Sequence, residues 1–186
     1  MKHSGILAAA TAIFLGACSS DADRYAVPAV KPTERINILY GSVEIRDVTL
    51  PTYAAADEIH QQSDTGILKS STSILWADEP ERAIALELTR HLSQLTGSRI
   101  ASDPWPFESF PDARLEVRFE DLLADATGQL HASGQYFVAV EAGRERSGFF
   151  DLTAPFDPAQ GPAAIASARA QIILDLAEYI AANGLR

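Results

Sequence analysis

Between Leu115 and Ala154 apolar side chains return at every second position through three successive runs, and this repetition limits the fold more than any other feature. Leu115, Val117 and Phe119 alternate with Glu116, Arg118 and Glu120. Leu130, Ala132, Gly134, Tyr136, Val138 and Val140 line one side of the next run, and Arg146 to Ala154 forms the third. Asp125-Ala126-Thr127-Gly128 and Gly143-Arg144 sit between the runs as turn formers. Successive side chains of a strand point to opposite faces, so the pattern predicts an antiparallel meander with one dry and one wet face. A dry face that long has to be covered.

Two helices are available to cover it. Asp78 stands three residues before Glu81 with Pro80 in the first turn, a pattern that resembles a capping box, and Ile84, Leu88, Leu92 and Leu95 follow on one helical face up to Gly97. The spacing predicts a helix from Asp78 to Thr96. A second helix starts at Gly161-Pro162, carries Ile165, Ala168, Ile172, Ile173, Leu176 and Ile180, and ends at Asn183-Gly184. Upstream, Ile36, Ile38 and Tyr40, then Val43 and Ile45, predict one strand from Arg35 to Leu50 with a bulge at Gly41-Ser42. Ser63-Asp64-Thr65-Gly66 predicts a short hairpin between Ile59 and Ser70. The expected fold class is α+β: a two-layer domain with a mainly antiparallel sheet and two amphipathic helices on one face.

The amino terminus says where such a domain resides. Met1-Lys2-His3 is a short positive region and Ile6 to Leu15 an apolar run ending in small residues, the layout of a secretory signal. Ten residues are about half of the ~20 needed to span the hydrocarbon core, so removal is expected. Cys18, the only cysteine, has no intramolecular disulfide partner. Leu15-Gly16-Ala17-Cys18 resembles the lipobox of bacterial lipoproteins, which implies cleavage between Ala17 and Cys18, thioether-linked diacylglycerol on Cys18 and an added acyl chain such as palmitate. Two or three chains anchor stably where one does not. The expected organisation is a signal peptide over 1–17, a lipidated cysteine and flexible tether over 18–34 reaching ~20 Å, and a folded domain over 35–186. Loss of the signal removes one positive charge, leaving 169 residues at a net charge of −11 instead of −10. With no Lys/Arg cluster, nucleic acid is excluded as a partner, and attachment to the membrane is expected through the amino-terminal lipid alone.

Chemistry is sparse. The chain has no Gly-x-Ser-x-Gly elbow, zinc helix, phosphate loop or Cys/His cluster. His60, His91 and His131 fall in elements where polar surface is expected and read as solvated or structural groups. Asp57, Glu58 and His60 offer the makings of a metal site, and Glu120, Asp121 and Asp125 those of a carboxylate pair, but all lie at expected strand ends and turns where solvation is their ordinary role. Ser70 to Ser73 read as an exposed connection. No catalytic residue, metal or cofactor is expected. Trp76, Trp105, Phe107 and Phe110 flank the first helix, either as a capped core edge or as an apolar patch for a protein or a lipid.

Leu50-Pro51-x-Tyr53, Ile74-Leu75-Trp76-Ala77 with its helix, Leu115-Glu116-Val117, the glycine-containing strand from Leu130 to Val140 and the closing helix, taken in order, resemble the PqiC-like ABC-type transport auxiliary lipoprotein family over about Ile36 to Ile180. Members often carry Leu and a basic residue after the tyrosine, where this chain has Ala54-Ala55-Ala56-Asp57. The resemblance implies an auxiliary lipoprotein of an MCE/ABC-type lipid transport system, outer-membrane-anchored and facing the periplasm, with an MCE-domain protein as partner and room for a homo-oligomer. Ser19 follows the cysteine where an inner-membrane retention signal would place aspartate. Pro51, Tyr53, Trp76 and Trp105 are the candidate partner surface. Two other classes fit the residues: an outer-membrane assembly lipoprotein resembling LptE, which would bind a β-barrel and lipopolysaccharide, and a lipid-anchored hydrolase resting on the scattered acidic groups.

Overall fold

The computed structural model describes residues 21–141 and 143–186, so Ala17 and Cys18 lie outside the described residues. In chain order the elements are β1 (Asp23–Tyr25), β2 (Ser42–Thr49), α1 (Thr52–Ala55), β3 (Gln61–Gln62), β4 (Leu68–Lys69), β5 (Ile74–Trp76), α2 (Pro80–Thr96), β6 (Arg99–Ser102), β7 (Ala113–Ala124), β8 (Gln129–Val140), β9 (Arg146–Pro155) and α3 (Pro162–Asn183). Strands β7, β8 and β9 form the expected antiparallel meander. Their buried residues are the predicted ones: Leu115, Val117 and Phe119 on β7, then Leu130, Ala132, Tyr136 and Val138 on β8.

The rest of the sheet corrects the antiparallel expectation. β2 runs parallel to both β7 and β6, so the sheet is mixed, in the order β9-β8-β7-β2-β6 with the β3–β4 hairpin beside the far end of β7. Between β2 and β6 the chain crosses through α2, as parallel neighbours require. Helix α2 packs on β2 and β6, α3 packs on β8 and β9, and the two helices touch, giving two layers with one sheet face bare. Ile84, Leu88, Leu92 and Leu95 meet Ile172, Ile173, Leu176 and Ile180 in a single apolar core.

Two bulges keep that core in register. Ile45 and Val48 are both buried although their numbers differ in parity, and the shift between Ile45 and Asp47 makes Arg46 the extra residue. The expected bulge at Gly41 is absent; the extra residue lies five positions later. On β7 the shift between Phe119 and Asp121 makes Glu120 the extra residue and turns Ala124 inward. Gly134 lies opposite this second bulge, where a β-carbon would come within 2.1 Å of Arg118 O. Its missing side chain lets Phe119 and Phe150 meet edge to face at 5.2 Å.

Residues 33–41 do not form the first half of a strand. Ile36, Ile38 and Tyr40 do point inward, but the segment crosses the carboxyl ends of the helices, with Ile36 N–H donating to Leu95 O and Leu39 N–H to Leu185 O. Extended chain alternates its side chains whether or not another strand is beside it. The expected tether is corrected as well. Asp23–Tyr25 pairs in parallel with β5, with Asp23 N–H bonded to Ser73 O and Ala77 N–H to Tyr25 O, and Tyr25 and Val30 pack on the core. The folded unit therefore reaches well ahead of residue 35.

Candidate partner surface

Leu50 and Pro51 are placed by α2. Glu81 does not close the expected capping box; its Oε1 accepts Leu50 N–H at 2.9 Å, while Asp78 Oδ1 accepts Glu79 N–H. Pro51 O then accepts Ala54 and Ala55 N–H and starts the short helix α1, which carries Tyr53. The Tyr53 hydroxyl donates to Asp121 and accepts Leu122 N–H at 3.3 Å, fastening α1 to β7. Burial and the Asp121 bond push this phenol up to about 12. Tyr53 thus acts first as a clasp.

Trp76, at the end of β5, lies with its ring 4.7 Å from the Arg169 guanidinium. Arg169 takes the place of an apolar side chain in the stripe Ile165, Ile172 and Leu176 of α3, so apolar periodicity does not reveal it. It is 2% exposed and donates through Nη2 to Glu87 Oε1 at 3.3 Å and Pro80 O at 3.5 Å. Burial raises the Glu87 carboxyl, and Arg169 and Arg90 partly counter it. Glu87 Oε2, Arg169 Nε and both ring nitrogens of His91 are buried without a protein partner. His91 is the clear departure from the expected polar surface: it is fully buried, and burial with Arg90 beside it lowers its ring to about 4. The signal was legible, because Glu87 and His91 stand at i+3 and i+7 from Ile84 on the buried stripe.

Two clefts meet at Trp76 and Arg169. The one beneath Tyr53, reached by Glu58, His60 and Leu122, has a volume of about 20 Å³, room for a water molecule and no substrate. The other, of about 240 Å³, is an open trough between Tyr25–Val27 and the α2 residues Leu86, Glu87 and Arg90. Trp105 lines neither cleft. It sits in the 103–112 loop, edge to face with Phe107 at 4.9 Å, with Nε1 donating to Ser109 O at 2.6 Å and Arg99 stacked on the other aromatic at 5.0 Å. Phe110 at the end of this loop is 75% exposed. The expected surface is therefore split: Tyr53 and Trp76 line one cleft while Pro51 caps α1, and Trp105 sits with Phe107 in the 103–112 loop that ends near Phe110.

The acidic candidates are separately engaged. Asp121 holds Tyr53, Glu120 accepts Gln135 Nε2 at 3.0 Å, and Asp125 accepts Thr127 N–H, Thr127 Oγ1 and Gln129 N–H while lying 3.0 Å from His131 Nε2. Burial tends to raise the Asp125 carboxyl, but the bonds from Gln129, His131 and Thr127 together hold it well below the usual carboxylate range. This is the chemistry of a turn. His60 Nδ1 lies 3.0 Å from Glu58 O, and among the described residues no group of three or more His, Cys, Asp or Glu side chains is placed to hold a metal ion. No helix of the described residues is long and apolar enough to cross a membrane.

The described residues thus form a two-layer α+β domain in which Asp121, Glu120 and Asp125 are each held by neighbouring groups and the 103–112 loop exposes aromatic rings. The sequence matches the family model of the ABC-type transport auxiliary lipoprotein component over residues 25–181, and the chain belongs to that family. Its members are membrane-attached lipoproteins that serve transport, and the family is not known for catalysis. The fold is shared with a crystal structure of an uncharacterized protein, 19% identical with a TM-score of 0.66 over 86% of this chain and 98% of that one. It is shared also with a Xanthomonas campestris protein of the DUF330 family, 16% identical with a TM-score of 0.65 over 86% and 93%. At these identities the likeness is one of fold. No curated protein matches the chain.

Proposed function

We propose that this protein is held by lipid on Cys18 in the outer membrane, faces the periplasm, and acts as an adaptor that seats an MCE-domain protein of an ABC-type lipid transport system, so supporting the envelope barrier. The observation that carries the reading is the family match, which spans nearly the whole folded unit from Tyr25 to Ala181. The lipobox-like Leu15-Gly16-Ala17-Cys18 and the absence of aspartate at Ser19 support lipid anchoring and outer-membrane sorting. The adaptor works by contact and not by chemistry, and self-association on the membrane is part of the proposal.

The aromatic 103–112 loop is the adhesive surface best suited to a partner. Trp105 and Phe107 already brace one another, so little side-chain freedom is lost on docking, and aromatic anchors dominate protein interfaces. Mild crosslinking of the full lipidated chain in cells, followed by capture and mass spectrometry, should recover an MCE-domain protein. Trp105→Ala and Phe110→Ser, provided they keep the native circular dichroism and melting temperature, should lower that recovery by roughly tenfold, about 1.4 kcal/mol, and raise permeability to detergents. Full recovery with both folded variants would move the adaptor surface to Trp76 and the trough; recovery of no MCE-domain protein by the unaltered chain would sink the proposal.

A further inference from the structure

We propose that the β3–β4 hairpin dips Ile67 and Leu68 into the headgroup boundary of the bilayer that holds the Cys18 lipid; the inference rests on the lipid-anchor reading. β1 and β5 are parallel, with Asp23 beside Ile74 and Asp23 N–H bonded to Ser73 O at 2.9 Å. The chain arriving from Cys18 and the chain arriving from β4 therefore enter this small sheet at the same end. Asp23 is five Cα–Cα steps from Cys18, and Ser73 five from Leu68, so each stretch spans at most about 18 Å. The bilayer surface and the hairpin tip are thereby brought within reach of each other.

The tip is suited to that contact. Residues 64–70 are all exposed, and the two adjacent aliphatic side chains, Ile67 at 60% and Leu68 at 39%, lie outside the apolar core. Isolated exposed aliphatics are ordinary on a soluble surface, but these lie on the chain that enters β5 at the same end at which the chain from Cys18 enters β1. The turn also satisfies its own backbone: Ser63 N–H donates to Ile67 O, Gly66 N–H to Ser63 O, and Ile67 N–H to Ser63 Oγ. Polar backbone that is already paired enters an apolar boundary at little cost, whereas unpaired backbone does not. Lys69 follows, and its long stem can keep the ammonium at phosphate level while the aliphatics go deeper. In a chain of net charge −10 a broad electrostatic hold on anionic lipid is disfavoured, so the contact is apolar.

Cys18 is the only native cysteine and carries the lipid, so a cysteine introduced elsewhere is the one free thiol. Ile67→Cys, Leu68→Cys and, as a distant exposed control on β9, Ser147→Cys would be labelled with an environment-sensitive fluorophore in the full lipidated chain. Each would be reconstituted into phosphatidylcholine vesicles with and without nitroxide-labelled lipid. We expect the nitroxide to quench the labels at 67 and 68 by roughly twofold or more beyond the label at 147, with blue-shifted emission, as for side chains seated 5–10 Å into the boundary. If the chain floats with the vesicles and labels a fatty acid but positions 67 and 68 are quenched no more than 147, the hairpin stays in water and this inference fails while the anchor stands. If the chain neither floats nor carries a fatty acid, the anchor reading falls and takes the inference with it.

Discussion

His91 shows how one side chain can tie stability to pH. Its ring is fully buried with neither nitrogen partnered by the protein, and burial, with Arg90 beside it, lowers its proton affinity to about 4. In the unfolded chain the ring titrates near 6.5, so between pH 6.5 and 4 the unfolded state binds more protons and folding weakens as pH falls. Above pH 6.5 the effect is absent; below 4 it is complete, on the order of 3 kcal/mol. Denaturant unfolding of the wild type and His91→Leu at pH 7 and pH 4 should show a gap that widens in favour of the variant at the lower pH. An unchanged gap would mean that the ring is already protonated or finds a partner in solution. Arg169 and Glu87 belong to the same buried row between α2 and α3. All three were readable as violations of an apolar stripe, but a stripe position says only that a side chain is turned inward, not what it meets there. Tyr53 is the converse case: its place after Leu50-Pro51 suggested an exposed contact, and the bond to Asp121, sixty-eight residues away, is beyond any local pattern.

At the scale of elements, what could be read was what repeats. The β7–β9 meander and both long helices follow from periods of two and 3.6 because each buries one continuous face. Orientation between strands does not repeat: β2 carries the same alternation whether its neighbour runs up or down, so its parallel pairing with β6 and β7 was hidden. β1 was hidden for another reason, being three polar and aromatic residues in a proline-dotted stretch whose partner, Ile74–Trp76, is equally short. The second bulge gives an element-level prediction. Opposite Glu120, Gly134 has no space for a side chain, since a β-carbon would meet Arg118 O and crowd Phe119 and Phe150. Gly134→Ala should therefore destabilise the domain by about 1–3 kcal/mol through overpacking, measured as a lower denaturant midpoint at unchanged slope. A wild-type midpoint would show that β7 and β8 can slide apart cheaply. The β3–β4 turn needed no correction, because Ser63 and Gly66 make the bonds their residue types favour.

The whole molecule separates a cohesive part from an attached one. Thirty apolar residues bury into one core between the helices and the sheet, with no disulfide among them since the only cysteine is Cys18. Cys18→Ala should accordingly give a chain that no longer takes up a fatty acid analogue or sediments with membranes, yet melts cooperatively at the same temperature with or without chelator and reductant. Sedimentation of the variant with membranes would overturn the anchor, and a drop in melting temperature on chelation would reveal a metal site that residue spacing does not show. A soluble fragment begun at Glu34 would remove β1 and uncover Trp76 and Arg169, so Asp21 is the better place to begin one.

The docking of β1 onto β5 also constrains how an anchored domain of the proposed kind would search for a partner. A domain of this size has a radius of gyration of about 15 Å, and on the proposed anchoring at Cys18 at most about 18 Å of chain would separate its first strand from the lipid-bearing residue. Its centre would then stay within roughly 40 Å of the bilayer. Under the proposed adaptor role, encounters with a periplasm-crossing partner would be set by the number of domains per unit membrane area and their lateral diffusion, and hardly at all by a leash. The proposed conduit would therefore have to come to the membrane to be met, and lengthening the stretch before Asp23 with Gly-Ser repeats would dilute the local concentration that short attachment supplies.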